Sequence, residues 1–345
     1  MKILVAGLGS IGQRHVRNLR AVRGDDVDIL AYRVRGLTRT ITDAMAIEGG
    51  PVVEEKYGLR SFDCLDTALA ERPDAVLVCN PTSLHMTTAL AAVRAGCHVL
   101  IEKPLADSLA GVEELVSLAE RRGLVAAVGY QMRFHPAIVR LRELLCSGII
   151  GQVEEVRAEF GEYLPSAHPY EDYRQSYAAR AELGGGVILC YIHEFDYLCW
   201  LFGRPRQVGT VGGRSGALEV DVEDHATTRM TCCTGGRPLV IEVHQDFLRR
   251  PGTRMCDVIG NAGTIHLDLN APLLVVADAA GRTIERRTFD GFARNQMYLD
   301  EITHFLSALE GADAPLVTAR EGAISLRVAL AARESLASGR AIELQ

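Results

Sequence analysis

The chain begins with KILVAGLGSIGQRH, residues 2–15, and this stretch limits the possible folds more than any other. Six residues, Lys2 to Gly7, read as a strand. Gly7, Gly9 and Gly12 stand in the GxGxxG spacing, and Ile11 to Arg23 carries a helical pattern. A strand that turns through glycines straight into a helix is the first unit of a parallel sheet. Gly7 suits the tight turn, Gly9 lets another group approach the backbone, and Gly12 lets helix and strand pack closely. The free N–H groups and positive dipole end of the helix then favour phosphate. The expected ligand is the pyrophosphate of a dinucleotide, held by Gly7, Gly9, Ser10, Ile11 and Gly12, with Arg14 adding charge.

The alternation continues. Strand signals at 27–33, 74–80 and 98–102 alternate with helical ones at 66–73, 83–96 and 108–123, while 36–60 is ambiguous around Gly49-Gly50-Pro51. Strands that are apolar throughout need cover on both faces, which predicts a doubly wound α/β domain with its ligand beyond the carboxyl ends of the strands. From 206 to 288 the pattern changes to closely spaced strands separated by turns, predicting a large, mostly antiparallel sheet; helices at 294–310 and 320–338 close the chain. A length of 345 residues suits two domains, expected at 1–123 and 124–345, with the last helices packing back on the first.

Composition excludes several classes. A net charge of −7 argues against nucleic acid as a partner. The most apolar stretch, GVILCYIHEFDYLCWLF, is interrupted by His193, Glu194 and Asp196, so no membrane span is expected. Nine cysteines without metal-ligand spacing point to a reduced, cytoplasmic chain with no metal site.

The strand ends supply the candidate site. The second strand ends in Tyr32-Arg33, with Arg35 nearby and no acid to bind a ribose 2′-hydroxyl; a guanidinium there favours NADP over NAD. The next cofactor candidates are Asn80, Pro81, Thr82 and His85 after the fourth strand, His85 otherwise reading as a surface position on the helix that follows. Glu102-Lys103-Pro104 ends the next strand on the same edge, and a lysine beside a cationic nicotinamide would have a lowered pKa and could move protons. A glycine triplet then leads into one apolar helix, 182–203, with His193 mid-helix and Asp196 and Trp200 on roughly its face. The loop 161–180 offers Tyr163, His168, Tyr173, Arg174 and Tyr177 to a polyhydroxylated ligand.

Taken in order, GLGSIGQRH, CNPTSLH, AGCHVLIEKPL, GYQMRFHP, GGGVILCYIHEFD, VIGNAGTI and MYLDEITHFLSAL resemble the glucose–fructose oxidoreductase/inositol dehydrogenase/rhizopine-catabolism (Gfo/Idh/MocA) family along essentially the whole chain. The resemblance implies a Rossmann domain followed by a domain on a large antiparallel sheet that builds homodimers or homotetramers. It implies hydride exchange between NADP or NAD and a hydroxyl/carbonyl carbon of a sugar, nucleotide sugar or polyol. Lys103 falls on the lysine that touches substrate and nicotinamide ribose, next to Glu102. His193 falls on the usual acid/base histidine, and Gln131 and Arg133 on a strand end approaching the nicotinamide. One departure stands out: Leu189 and Cys190 occupy the turn where many members carry an aspartate partner for that histidine. An NADP(H)-binding sensor that keeps the fold without turnover is the alternative reading.

Overall fold

A computed structural model describes residues 1–36 and 39–344. The first domain runs β1 (Lys2–Ala6), α1 (Ser10–Arg23), β2 (Asp28–Tyr32), a small hairpin of β3 (Thr40–Ile41) and β4 (Ile47–Glu48), α2 (Val53–Tyr57), β5 (Arg60–Phe62), α3 (Leu65–Ala70), β6 (Ala75–Val78), α4 (His85–Arg94), β7 (His98–Glu102), α5 (Val112–Arg122) and β8 (Ala126–Gly129). Six of these strands form one sheet in the order β5-β2-β1-β6-β7-β8, paired parallel throughout.

Alternation along β1 shows why the sheet is doubly covered. Ile3 and Val5 belong to one buried cluster with Val16 and Leu19 of α1, whereas Leu4 and Ala6 belong to the other, with Ala89 and Val93 of α4 and Leu115 of α5. Successive side chains leave opposite faces of a strand, so one apolar run feeds both layers. Truncating such a residue to alanine costs about 2–5 kcal/mol.

The expected boundary at 123 falls too early. Gly123 does end α5 in the left-handed region, φ 63°, but the sheet gains its last strand, β8, beyond it. "VAAVG" is too short and too small-sided to separate from a domain junction by pattern alone.

The second domain contains α6 (Pro136–Ser147), β9 (Val153–Gly161), α7 (Leu164–Ala167), α8 (Val187–Cys190), α9 (His193–Phe202), β10 (Gln207–Gly213), β11 (His225–Thr234), β12 (Arg237–Asp246), β13 (Thr253–Gly260), β14 (Gly263–Asp268), β15 (Leu273–Asp278), β16 (Thr283–Thr288), α10 (Arg294–Leu309), α11 (Ala319–Ser338) and β17 (Ile342–Glu343). Its nine strands follow the order β16-β15-β14-β13-β9-β12-β11-β10-β17, antiparallel except where β9 meets β12. β9 was not expected: Glu154, Glu155, Arg157 and Glu159 dilute its apolar signal, yet Val156 and Ala158 are buried at the centre of the sheet.

The last helices do fold back on the first domain. Ile302, Phe305 and Leu306 of α10 share a core with Ile3, Val5 and Leu19. α11 starts in a capping box between Thr318 and Glu321, and Thr318 bridges to Ala127 of β8. Among the described residues no helix is long and apolar enough to cross a membrane.

Candidate active site

The glycine turn fits a dinucleotide. Gly7 has φ 107°, and a Cβ there would stand 2.7 Å from the Cys79 carbonyl oxygen. A Cβ on Gly12 would stand 1.9 Å from the Gly7 oxygen, whereas one on Gly9 meets nothing within 4 Å. The turn is therefore closed behind and open in front, where a pyrophosphate approaches the first N–H groups of α1. Beside it Asn80 donates to Thr88 Oγ1 over 2.8 Å and keeps its own buried Oδ1 unpartnered. Two expected cofactor cations are already engaged. Arg14 donates to Asn295 Oδ1 over 2.7 Å and pairs with Asp43, while Arg33 pairs with Glu54 at 2.5 Å.

His85 is corrected from a surface position to a buried clasp. Its Nδ1 lies 2.8 Å from Pro104 O and its Nε2 2.9 Å from Asn80 O, tying the loop after β6 to the one after β7. A neutral ring donates to only one of these carbonyls.

Lys103 extends from the end of β7 toward the second domain, and its Nζ donates to Cys190 O over 2.9 Å. Burial, followed by the Arg254 and Arg294 charges, lowers its pKa; Cys190 and Glu102 oppose the shift. Lys103 N donates to Glu102 Oε2 over 3.2 Å, and Glu102 Oε1 lies 2.7 Å from His15 Nε2. Burial works against the Glu102 charge, but His15 outweighs it and holds the carboxyl below its usual range. Behind them sits Glu301 of α10, 4% exposed, with neither carboxyl oxygen hydrogen-bonded. Burial first, then Glu102, pushes its pKa well above the usual range, so it is a neutral acid. His15, Glu102 and Glu301 offer ligand-type atoms within 4.8 Å of one another, a cluster no sequence spacing announces.

The helix expected over 182–203 is broken. α8 ends at Cys190, and α9 begins at His193 itself, so the histidine stands at a helix start rather than mid-helix. Asp196 is one turn on but does not serve His193: both its oxygens take Arg133, at 2.9 and 2.8 Å, beneath the Trp200 ring. Arg133, expected on the cofactor, is thus held inside the core by a buried ion pair. His193 meets Gln131, which the resemblance set on a strand end approaching the nicotinamide; its Nε2 lies 3.1 Å from His193 Nε2 and donates to Tyr298 Oη over 3.1 Å. With Nε2 accepting, the ring proton sits on Nδ1, which is buried without a partner. Burial, then Lys103, Arg254 and Arg294, pushes the His193 pKa well below the histidine range, so the ring is neutral. Glu194, the next residue, takes Arg254 with both oxygens, at 2.8 and 3.1 Å.

The 161–180 loop divides. Tyr177 faces Cys190, the residue whose carbonyl takes Lys103. His168 stacks on Tyr170, whose phenol is pushed to about 12 by burial and hydrogen-bonds Ser10 of the glycine turn. Tyr163 lies under Arg250. Tyr173 and Arg174 are tied to Glu219 and Asp172 at the surface, and no hydrogen bond joins them to Lys103 or His193.

A doubly wound domain with an open glycine turn, a lysine of lowered pKa and a neutral histidine at the domain junction defines a nicotinamide-dependent oxidoreductase. Residues 1–130 match the oxidoreductase family with an NAD-binding Rossmann fold, and residues 138–266 match the GFO/IDH/MocA C-terminal domain. The chain belongs to the Gfo/Idh/MocA family. It is 27% identical to the myo-inositol 2-dehydrogenase of Thermotoga maritima, over 100% of this chain and 99% of that protein. It is 24% identical to the scyllo-inositol 2-dehydrogenase (NAD(+)) of Bacillus subtilis, over 100% and 96%. The WlbA dehydrogenase of Bordetella pertussis, solved with NADH and UDP-GlcNAcA, shares the fold with a TM-score of 0.80 at 21% identity, covering 100% of this chain and 99% of that one.

Proposed function

We propose that the chain is a dehydrogenase of sugars, nucleotide sugars or polyols, with Lys103 as its principal acid/base. The observation that carries this is the Lys103–Cys190 contact: a lysine of lowered pKa, bonded through Nζ to a carbonyl rather than a carboxylate, beside neutral His193. A substrate hydroxyl displaces that carbonyl from Nζ. In oxidation the neutral amine takes the hydroxyl proton as the carbon gives up its hydride. In reduction the ammonium returns the proton to the carbonyl oxygen. The bound dinucleotide supplies the hydride acceptor or donor. His193, held by Gln131, accepts or donates at the same oxygen, and Tyr177 closes the pocket beside Cys190. For His168 the support as a sugar contact is its stacking on Tyr170, which reaches Ser10 of the glycine turn; Tyr163, against Arg250, has less, and Tyr173 and Arg174, tied up at the surface, have the least.

Arg33 and exposed Arg35 support NADP; Glu54, on Arg33, opposes a 2′-phosphate and shifts weight toward NAD. The relatives named with NAD(+) and NADH agree with that shift. Exposed Val211, Val240 and Ile284 on the second sheet support a homodimer or homotetramer through that face.

The test is a panel of sugars and polyols assayed for reduction of NAD and NADP, with Lys103→Ala as control. Turnover lost in that variant supports the reading. His193 has an amide rather than a carboxylate partner, the one observation that favours the sensor alternative. NADH binding without turnover of any panel member would favour the sensor.

A further inference from the structure

Four cations around the site already have protein partners. Lys103 Nζ bonds Cys190 O, Arg254 takes both oxygens of Glu194, Arg133 both of Asp196, and Arg14 holds Asn295 and Asp43. Arg294 differs. It is the first residue of α10, it is exposed, and among the described residues its guanidinium has no hydrogen bond or ion pair.

Its position is set by its neighbours. Asn295, next in sequence, accepts from Arg14 over 2.7 Å and donates to Asn18 Oδ1 over 2.9 Å, which locks the start of α10 onto α1. Tyr298 lies one helical turn on, hence on the same face. Its Oη accepts from Gln131, whose Nε2 reaches His193, and the Arg14 guanidinium lies 4.8 Å from the Tyr298 ring. Arg294 therefore stands one turn from a chain of contacts ending on His193. Its charge is felt across the site, where it disfavours the protonated forms of Lys103, His193 and Arg14 and favours ionisation of Tyr298.

Among the described residues, the acids of the site are already engaged or neutral. Glu194 and Asp196 face arginines, Glu102 faces His15, and Glu301 is neutral. A neutral polyol offers this cation no charge to pair with. The pyrophosphate has its own place at the glycine turn.

We propose that Arg294 binds a carboxylate carried by the substrate, which makes acidic sugars the substrate class. The proposal rests on the dehydrogenase reading for its meaning, but the site is testable without turnover. A guanidinium presents two parallel N–H groups to a carboxylate, so the charge comes with a geometric match.

The full chain, saturated with NADH, is titrated calorimetrically with D-glucuronate and D-galacturonate and with their neutral parents, D-glucose and D-galactose. The uronates bind at least ~10-fold more tightly than their parents, the equivalent of one charge-assisted pair. Arg294→Gln brings that ratio close to one, Arg294→Lys keeps part of it, and NADH affinity is unchanged in both. Parents binding as tightly as uronates overturns the proposal, as does a wild type that binds no uronate. It is also overturned if Arg294→Gln loses NADH affinity while the uronate preference survives, because the arginine then serves the pyrophosphate. Uronates that bind but are never turned over uphold the anion site, and if no sugar or polyol of the panel is turned over either, the dehydrogenase reading falls instead.

Discussion

Lys103 Nζ donates to Cys190 O over 2.9 Å, and this bond crosses the junction between the two domains. The lysine directly follows the fifth strand of the parallel sheet in order, β7. The carbonyl ends α8, three residues before His193. Neither domain alone assembles the pair, so the contact depends on how the domains pack.

Replacing Lys103 by alanine lowers kcat by roughly 10²–10⁴-fold, the usual contribution of a positioned acid/base. Burial lowers the pKa of this group, so its neutral form is reached below the ordinary lysine range. The oxidation rate of the wild type therefore rises with pH and levels off below about pH 10, where a free lysine would still be titrating. Lys103→Arg stays charged and abolishes that limb. Initial rates between pH 6 and 10 check both.

Glu301 holds a proton at neutral pH because burial and Glu102 oppose its ionisation. Difference infrared spectra show the carbonyl stretch of a protonated carboxylic acid, lost in Glu301→Gln. The sign of the linkage follows. The folded pKa is raised, so the contribution to stability is fully present below the unfolded value of about 4.3 and is lost as pH rises toward the folded one. Urea denaturation shows wild type losing stability relative to Glu301→Gln as pH increases. A gap that stays constant with pH rules the neutral acid out.

Breaking the Arg133–Asp196 pair exposes a structural role. Asp196→Asn leaves the buried guanidinium without its charge partner and costs about 3–5 kcal/mol in urea denaturation. NADH affinity, measured by fluorescence on the folded variant, changes little. A large loss of NADH affinity with normal stability would restore Arg133 to the cofactor site.

Glu54→Gln removes the carboxylate on Arg33. NADPH affinity rises relative to NADH by about tenfold, the equivalent of ~1.4 kcal/mol. Fluorescence titrations with both dinucleotides test this, and an unchanged ratio shows that Arg33 does not meet the 2′-phosphate.

The parts of the fold legible in the chain were those encoded by neighbours in sequence. GLGSIG encodes a tight turn because conformational freedom, close packing and a helix start lie within six residues. Apolar strands announce a sheet covered on both faces. Other elements had no local signal. β9 alternates charged and small residues, and only Val156 and Ala158, facing the core, show that it is central. The break between Cys190 and His193 has no glycine or proline to mark it, since both sides are equally apolar.

Sequence by itself determined the doubly wound domain, the dinucleotide turn and the strand end that carries Lys103, because each depends on short-range periodicity and backbone constraints. Tertiary structure alone decided which acid meets which base. Arg133 finds Asp196 63 residues away and His15 finds Glu102 87 residues away, leaving His193 with Gln131 and the Arg294 side chain with no partner among the described residues. A charge is neutralised by whatever the fold brings within a few ångströms, and sequence separation carries no record of that distance.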